Sequence, residues 1–283
     1  MRVTLWGTRG SLAAPGADTA RYGGNTSCVQ VEGTDGTQIV LDAGTGIRRL
    51  SAVIPKTACR VDILLTHLHL DHILGLGFFG PLDRPDCQVH IWGPPSTTQD
   101  LRTRLTRYLS PPLFPVRLRD LQSHITLHEV PSGEFQIGEF CVNAALVCHP
   151  GPTVGYRIES PRAALAYLPD HEPALGAKKF PGDAAWTSGY AIAENADWLI
   201  HDSQYDPAEY REHVGWGHSS LHQALVFGEL CRVKNFVPFH HDPSHSDKTL
   251  DRIIAEAVRD AQPRFAVIPG IEGVTLEPGK SSI

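Results

Sequence analysis

The sequence contains a single methionine, few aromatic residues (8%) and nothing close to the roughly 18 uninterrupted apolar residues that a membrane-spanning helix requires. No such helix is expected. Nor does an apolar core of about 7 to 15 residues follow the N-terminal Met1-Arg2, because Val3 to Trp6 runs at once into Gly7-Thr8-Arg9-Gly10, so no export signal is expected either. The six cysteines, at 28, 59, 87, 141, 148 and 231, form no C-x-x-C pair, which points to reduced core thiols in a cytoplasmic protein. Positive charge is not in surplus. With 25 Lys and Arg against 31 Asp and Glu the net charge is −6, which argues against bulk electrostatic capture of nucleic acid or of an anionic membrane. With no linker, low-complexity segment or repeat, residues 1–283 read as one domain with a flexible tail at 277–283.

Apolar and turn residues alternate in a pattern that predicts strands at 2–6, 28–33, 38–42, 61–65 and 88–92. Further strands are expected at 124–130, 140–148, 153–159, 163–168, 198–201, 236–240 and 265–268. Helices are expected at 71–79, 97–109, 220–231 and 251–260, the third opened by Ser220-x-x-Gln223.

What the chain does have is histidine, fifteen in all. The apolar strand Val61 to Leu65 delivers Thr66-His67-Leu68-His69-Leu70-Asp71-His72, an H-x-H-x-D-H motif that random placement would give with a probability of roughly 0.003. In extended chain His67 and His69 point to one side, while Asp71 and His72, at the turn into a helix, aim at a second point nearby. Imidazoles with a carboxylate suit Zn²⁺, and two such groups side by side suit two ions bridged by a water.

These residues resemble the metallo-β-lactamase-fold hydrolases, and the likeness runs from the first hairpin to His240. It implies an α/β fold, the αββα sandwich, with two Zn²⁺ per chain, Mn²⁺ and Fe²⁺ being the alternatives. It also implies further ligands after later strands: His149, Asp170 and His240, with His241 as the competing candidate for the last. The sets are then His67, His69, His149 and Asp170 on one ion, and Asp71, His72, Asp170 and His240 on the other, with Asp42 orienting ligands. Pro169 and His171 depart from the small Gly-Asp-Thr turn that many relatives carry around that aspartate.

Asp202 followed by Gly217-His218-Ser219 resembles the acid-histidine pair of the phosphodiesterase branch, which includes carbon-phosphorus-lyase phosphodiesterases and transfer-RNA 3′-processing endonucleases. The 21 residues from His149 to Asp170 leave no room for the latter's substrate-clamping arm. The resemblance implies a dinuclear zinc hydrolase that cleaves a small or cyclic phosphodiester with a metal-bridged hydroxide. Asp71, Asp202 and His218 would be its catalytic residues, a small molecule or nucleotide its substrate, and a homodimer a common state. A thioester or lactone hydrolase of the same fold, which would not require His218, and a non-catalytic metal-binding or sensing protein are the competing readings. Arg102, Arg104, Arg107, Arg117 and Arg119 form the one basic cluster, readable as a solvated face or as phosphate steering.

Overall fold

The computed structural model describes residues 1–131, 133–175, 180 and 182–278; of the expected 277–283 tail, residues 279–283 lie outside this set. In chain order the strands are β1 (Arg2–Gly7), β2 (Cys28–Glu32), β3 (Gln38–Leu41), β4 (Arg60–Leu64), β5 (Gln88–Gly93), β6 (His124–Glu129) and β7 (Gly133–Ile137). They continue as β8 (Phe140–Leu146), β9 (Val154–Ser160), β10 (Ala163–Leu168), β11 (Trp198–Asp202), β12 (Asn235–Phe239), β13 (Ala266–Val267) and β14 (Thr275–Leu276). The α-helices are α1 (Ile47–Val53), α2 (Leu70–Ile73), α3 (Leu101–Thr106), α4 (Tyr190–Ala193), α5 (Pro207–Glu212), α6 (Leu221–Cys231) and α7 (Asp247–Ala261).

Two sheets form, ordered β14-β1-β2-β3-β4-β5-β6 and β13-β12-β11-β10-β9-β8-β7. Strands with both faces covered read as continuous apolar runs, and β10, AALAYL, is buried at every position. Ala163, Leu165 and Tyr167 enter the core between the sheets with Val3, Leu5, Ile39 and Leu41 of the facing layer. Ala166 and Leu168 turn the other way and pack with Leu221, Leu225 and Phe227 of α6. On the first sheet Leu64 faces inward, whereas Val61 and Ile63 face Ile47 and Leu50 of α1. This is the αββα sandwich that the resemblance implies.

Parallel pairing sets the position of the site. Leu41 lies opposite Leu64, Leu168 opposite His201, and Asp202 opposite Phe239, so β3, β4, β10, β11 and β12 all end at one edge of the sandwich. The β9–β10 hairpin fills the interval from His149 to Asp170.

Several elements differ from expectation. The helix expected at 71–79 is α2, over 70–73, followed by a 3-10 turn at 76–78, because Gly75 and Gly77 interrupt it. The one expected at 97–109 is confined to 101–106, where the Asp100 carboxylate accepts from the Thr103 N–H at 2.7 Å and so fixes the start. The last helix begins four residues early, at Asp247, because Ser246 caps it. Strands β7 and β14 and helices α1, α4 and α5 were not anticipated by the sequence pattern.

Candidate metal centre

The turn after β4 places His67, His69, Asp71 and His72 at the shared edge, and the ends of β8, β10 and β12 bring His149, Asp170 and His240 to the same place. One ligand atom from each of His67, His69, His149 and Asp170 lies within 4.8 Å of the others, as do those of Asp71, His72, Asp170 and His240. Asp170 belongs to both groups. Its carboxylate spans them, with Oδ2 at 3.8 Å from His67 Nε2 and 3.7 Å from His149 Nε2, and Oδ1 at 2.9 Å from His72 Nε2 and 3.3 Å from His240 Nε2. His241 faces elsewhere, donating from Nε2 to the Gly270 carbonyl at 3.0 Å.

Partners behind these rings fix which nitrogen points inward. His72 Nδ1 donates to Asp42 Oδ2 at 2.8 Å, His149 Nδ1 to the Gly217 carbonyl at 2.9 Å and His240 Nδ1 to Gln204 Oε1 at 2.9 Å, which leaves each Nε2 lone pair toward the centre. Asp42, fully buried, also accepts from the Thr66 N–H and hydroxyl and from the Tyr167 hydroxyl at 3.0 Å. Asp42 and His240 both hold φ at 58°, a left-handed conformation rare for non-glycine residues and found where a site over-determines the backbone.

The centre carries unmet polar demand. His67 Nε2, His72 Nε2 and Asp170 Oδ1 are buried without a hydrogen-bond partner. A lone pair on His72 Nε2 facing a carboxylate oxygen at 2.9 Å is repulsive unless a proton or cation lies between them. The protein's own response is visible: burial disfavours the His72 imidazolium, but Asp170, Asp71 and Asp42 outweigh it and hold the pKa well above the usual histidine value. Burial keeps His67 and His149 below it, as neutral imidazoles suited to ligation. Burial works against the Asp71 anion, yet His72 and His240 hold its carboxyl well below the usual carboxylate range, and Ser11 N–H donates to it at 2.8 Å. Buried imidazoles and carboxylates with inward lone pairs fit divalent cations of the zinc class.

Beside this cluster, His218 Nδ1 lies 2.7 Å from Asp202 Oδ2, and its ring packs on those of His149 and His240 at centroid distances of 5.1 and 5.0 Å. Burial opposes its charge, but Asp202 prevails and raises the pKa to about 9. The loop that carries it is clamped by Glu172, which accepts from Tyr210 Oη at 2.9 Å, Gly215 N–H at 3.0 Å and Gly217 N–H at 2.8 Å. Gly217 has φ +88°, and a side chain there would meet His149 Nδ1 at 2.4 Å.

Behind Asp170 and Asp202 lies a second buried chain. His201 Nδ1 donates to the Asp202 carbonyl at 2.7 Å, so its Nε2 accepts from His171 Nδ1 at 2.9 Å. His171 Nε2 in turn accepts from Ser188, whose Oγ receives the Cys148 N–H. Glu172, Gln204, Thr66, Tyr167 and this histidine pair were missed in the sequence. Only His171 left a signal there, as the residue in place of the expected threonine.

Other features fall away from the centre. Arg9, from the first glycine turn, is buried and donates to the carbonyls of Gly23, Asp242 and His245. His90 and His128 sit 2.8 Å apart across β5 and β6. Of the five clustered arginines, Arg104 and Arg107 border the site.

Residues 37–241 match the model of the beta-lactamase superfamily domain. A ribonuclease Z of Staphylococcus haemolyticus is 29% identical over 89% of this chain and 92% of its own length. The metallo-beta-lactamase fold protein YhfI from Bacillus subtilis superposes with TM-score 0.71 at 18% identity, covering 97% of this chain and 98% of that one. A diphosphatase of the PhnP family gives TM-score 0.67 at 20% identity, with coverage of 98% and 97%. No helix among the described residues is long and apolar enough to cross a membrane.

Proposed function

This chain belongs to the beta-lactamase superfamily, and from that premise we propose that it is a metal-dependent phosphodiester hydrolase. His67, His69, His149 and Asp170 would hold one divalent cation, and Asp71, His72, Asp170 and His240 a second, zinc in the first instance. The observation that carries the phosphodiester reading is the Asp202–His218 pair, set against His149 and His240 with a 2.7 Å contact. Ribonuclease Z and the PhnP-family diphosphatase, similar to this chain, are both named for cleavage at phosphorus.

Divalent cations bound in these groups supply Lewis acidity at phosphoryl oxygens and lower the pKa of a water. The chain's own residues do the rest. Asp71, anionic and tethered by the Ser11 N–H, orients the attacking water. Hydrolysis adds the water oxygen to phosphorus and a proton to the departing oxygen. His218 is equipped for the second task, since Nδ1–H is committed to Asp202, whose carboxylate raises the pKa to about 9 against burial and so favours a proton on Nε2. Asp42, Gln204 and the Gly217 carbonyl keep three imidazoles in the tautomer that presents Nε2.

The test is a turnover screen of metal-loaded protein against bis-p-nitrophenyl phosphate, 2′,3′- and 3′,5′-cyclic nucleotides, dinucleotides, thioesters and lactones. Diester cleavage abolished by chelation is expected. Faster turnover of thioesters or lactones, with diesters untouched, would assign the chain to acyl hydrolysis, and no turnover at all would favour a metal-binding or sensing role.

A further inference from the structure

A cavity of about 280 Å³ opens directly beside the metal centre, lined by His67 and His69 on one side and by Arg104, Arg107, Ser96 and Thr98 on the other. Its far wall comes from α3 and from the loop after β5, two segments that contribute nothing to the ligand groups. Two larger cavities, of 740 and 640 Å³, lie among the opposite strand ends, around Met1, Glu32 and Thr34 or around Asp35 and Cys59, and a third, of 310 Å³, lies by Arg157 and Glu194, none with a ligand histidine in its walls.

The two arginines differ from the rest of the basic cluster. Arg119 is 3.6 Å from Asp120, and Arg102 and Arg117 are exposed away from the cavity. Arg104 is only 14% exposed in its side chain, donates from Nη2 to the Pro94 carbonyl at 2.6 Å, and lies at the limit of ion-pair distance from Glu129, at 4.0 Å. Its Nε is buried and has no hydrogen-bond partner. The Arg107 guanidinium is exposed and has no ion pair or hydrogen bond among the described residues. A chain of net charge −6 thus keeps two incompletely satisfied guanidinium groups and two hydroxyls around a pocket that shares a wall with its metal centre. Planar guanidinium forks with neighbouring hydroxyls suit a phosphate group.

We propose that this cavity takes a second phosphate of the substrate, so that the molecule cleaved carries one phosphoryl group at the histidine and carboxylate centre and another against Arg104 and Arg107. The inference rests on the phosphodiester reading above and narrows it to substrates with at least two phosphates. His218 does not line the cavity, so the second phosphate is recognised apart from the proton-donating side of the centre.

Binding without turnover tests it. Calorimetric titration of the metal-loaded protein compares thymidine 3′-phosphate (Tp), thymidine 3′,5′-bisphosphate (pTp) and an uncleavable form of the dinucleotide TpTp in which CH2 replaces both bridging oxygens of the internal linkage. Binding of pTp roughly 5- to 10-fold tighter than Tp is expected, the scale of one charge-assisted contact at a partly exposed site. The advantage should shrink at high salt. An advantage of pTp alone assigns the cavity to a terminal phosphomonoester, and one shared by TpTp to the next phosphate of a chain. Arg107→Gln should remove most of the difference, whereas Arg119→Gln, outside the cavity, should keep it. Equal binding of all three compounds by the unaltered protein, or an advantage that survives Arg107→Gln, overturns the proposal. Because the readout is affinity, its failure is separate from failure of the diester turnover screen.

Discussion

Removing the Asp202–His218 pair tests catalysis apart from the two ligand groups that share Asp170, to which neither residue belongs; with His240 the pair forms a third cluster of ligand-type side chains, so metal content is measured alongside turnover. Asp202 and its neighbours raise the His218 pKa to about 9 against the effect of burial, which is worth roughly 3 kcal/mol to the imidazolium. That is about a 10²-fold effect on the fraction of imidazolium available near or above pH 9. Cations in the adjacent groups oppose the charge on His218, so this figure is an upper bound. His218→Ala should lower kcat for an alkyl diester such as thymidylyl-3′,5′-thymidine by roughly 10²- to 10⁴-fold, the range of general acid catalysis, with metal content by elemental analysis unchanged. Bis-p-nitrophenyl phosphate, whose departing phenolate needs no proton, should lose much less. Asp202→Asn should give a smaller loss of the same pattern. The raised pKa also fixes the sign of the pH profile: alkyl-diester turnover is present at low pH and declines as pH rises through the His218 pKa, which the cations hold below about 9, and in Asp202→Asn that decline moves to still lower pH. Equal losses on both diesters would refute proton donation and leave His218 a phosphate-binding group.

Protein purified without chelator should carry close to two equivalents of divalent metal, and His67→Ala and His72→Ala should each lower the content by about one while reducing turnover by orders of magnitude; full activity in both variants would refute the ligand grouping. Burial depresses His201 to about 4 and His241 to about 3, so the unfolded chain binds more protons below about 6.5. Stability is therefore present above that pH and lost on acidification, by roughly 3 kcal/mol per residue between pH 6.5 and 4, and urea unfolding of metal-free His201→Gln should show a flatter dependence than the unaltered chain. Glu172→Gln, which replaces an acceptor of three hydrogen bonds, should cost about 1–3 kcal/mol in thermal unfolding and lower diester turnover through the His218 loop; an unchanged melting temperature would show that the clamp is slack.

The parts of the centre legible in the sequence are those encoded locally. A period of two sets His67 and His69 on one side, and apolar runs such as Val61–Leu65 and Ala164–Leu168 end on ligand-type residues because buried parallel strands must surface at their ends. The supporting residues are set by tertiary contact. Tyr167 meets Asp42 across 125 residues, and nothing near either signals the other. His90 and His128 meet only because β5 and β6 pair in parallel with a register that sequence spacing does not reveal. Helix α1 has no side-chain cap to announce it, whereas α5 does carry a readable box, in which Asp206 and Glu209 cap one another, but is too short for a periodic pattern. The arginine run is visible as charge, yet which of its members turn toward the histidines depends on where α3 docks.

Each ligand group draws from both layers of the sandwich: His67 and His69 from the first sheet meet His149 and Asp170 from the second, and Asp71 and His72 meet Asp170 and His240. An ion in either group is therefore a clasp between the two layers at one edge, while the apolar interior holds them elsewhere. Folding and metal supply become thermodynamically linked, because a ligand at about 100 times its dissociation constant stabilises the native state by roughly 2.7 kcal/mol per site. The melting temperature then reports free metal concentration as well as sequence, and a chain starved of metal would open first along the edge that carries its chemistry.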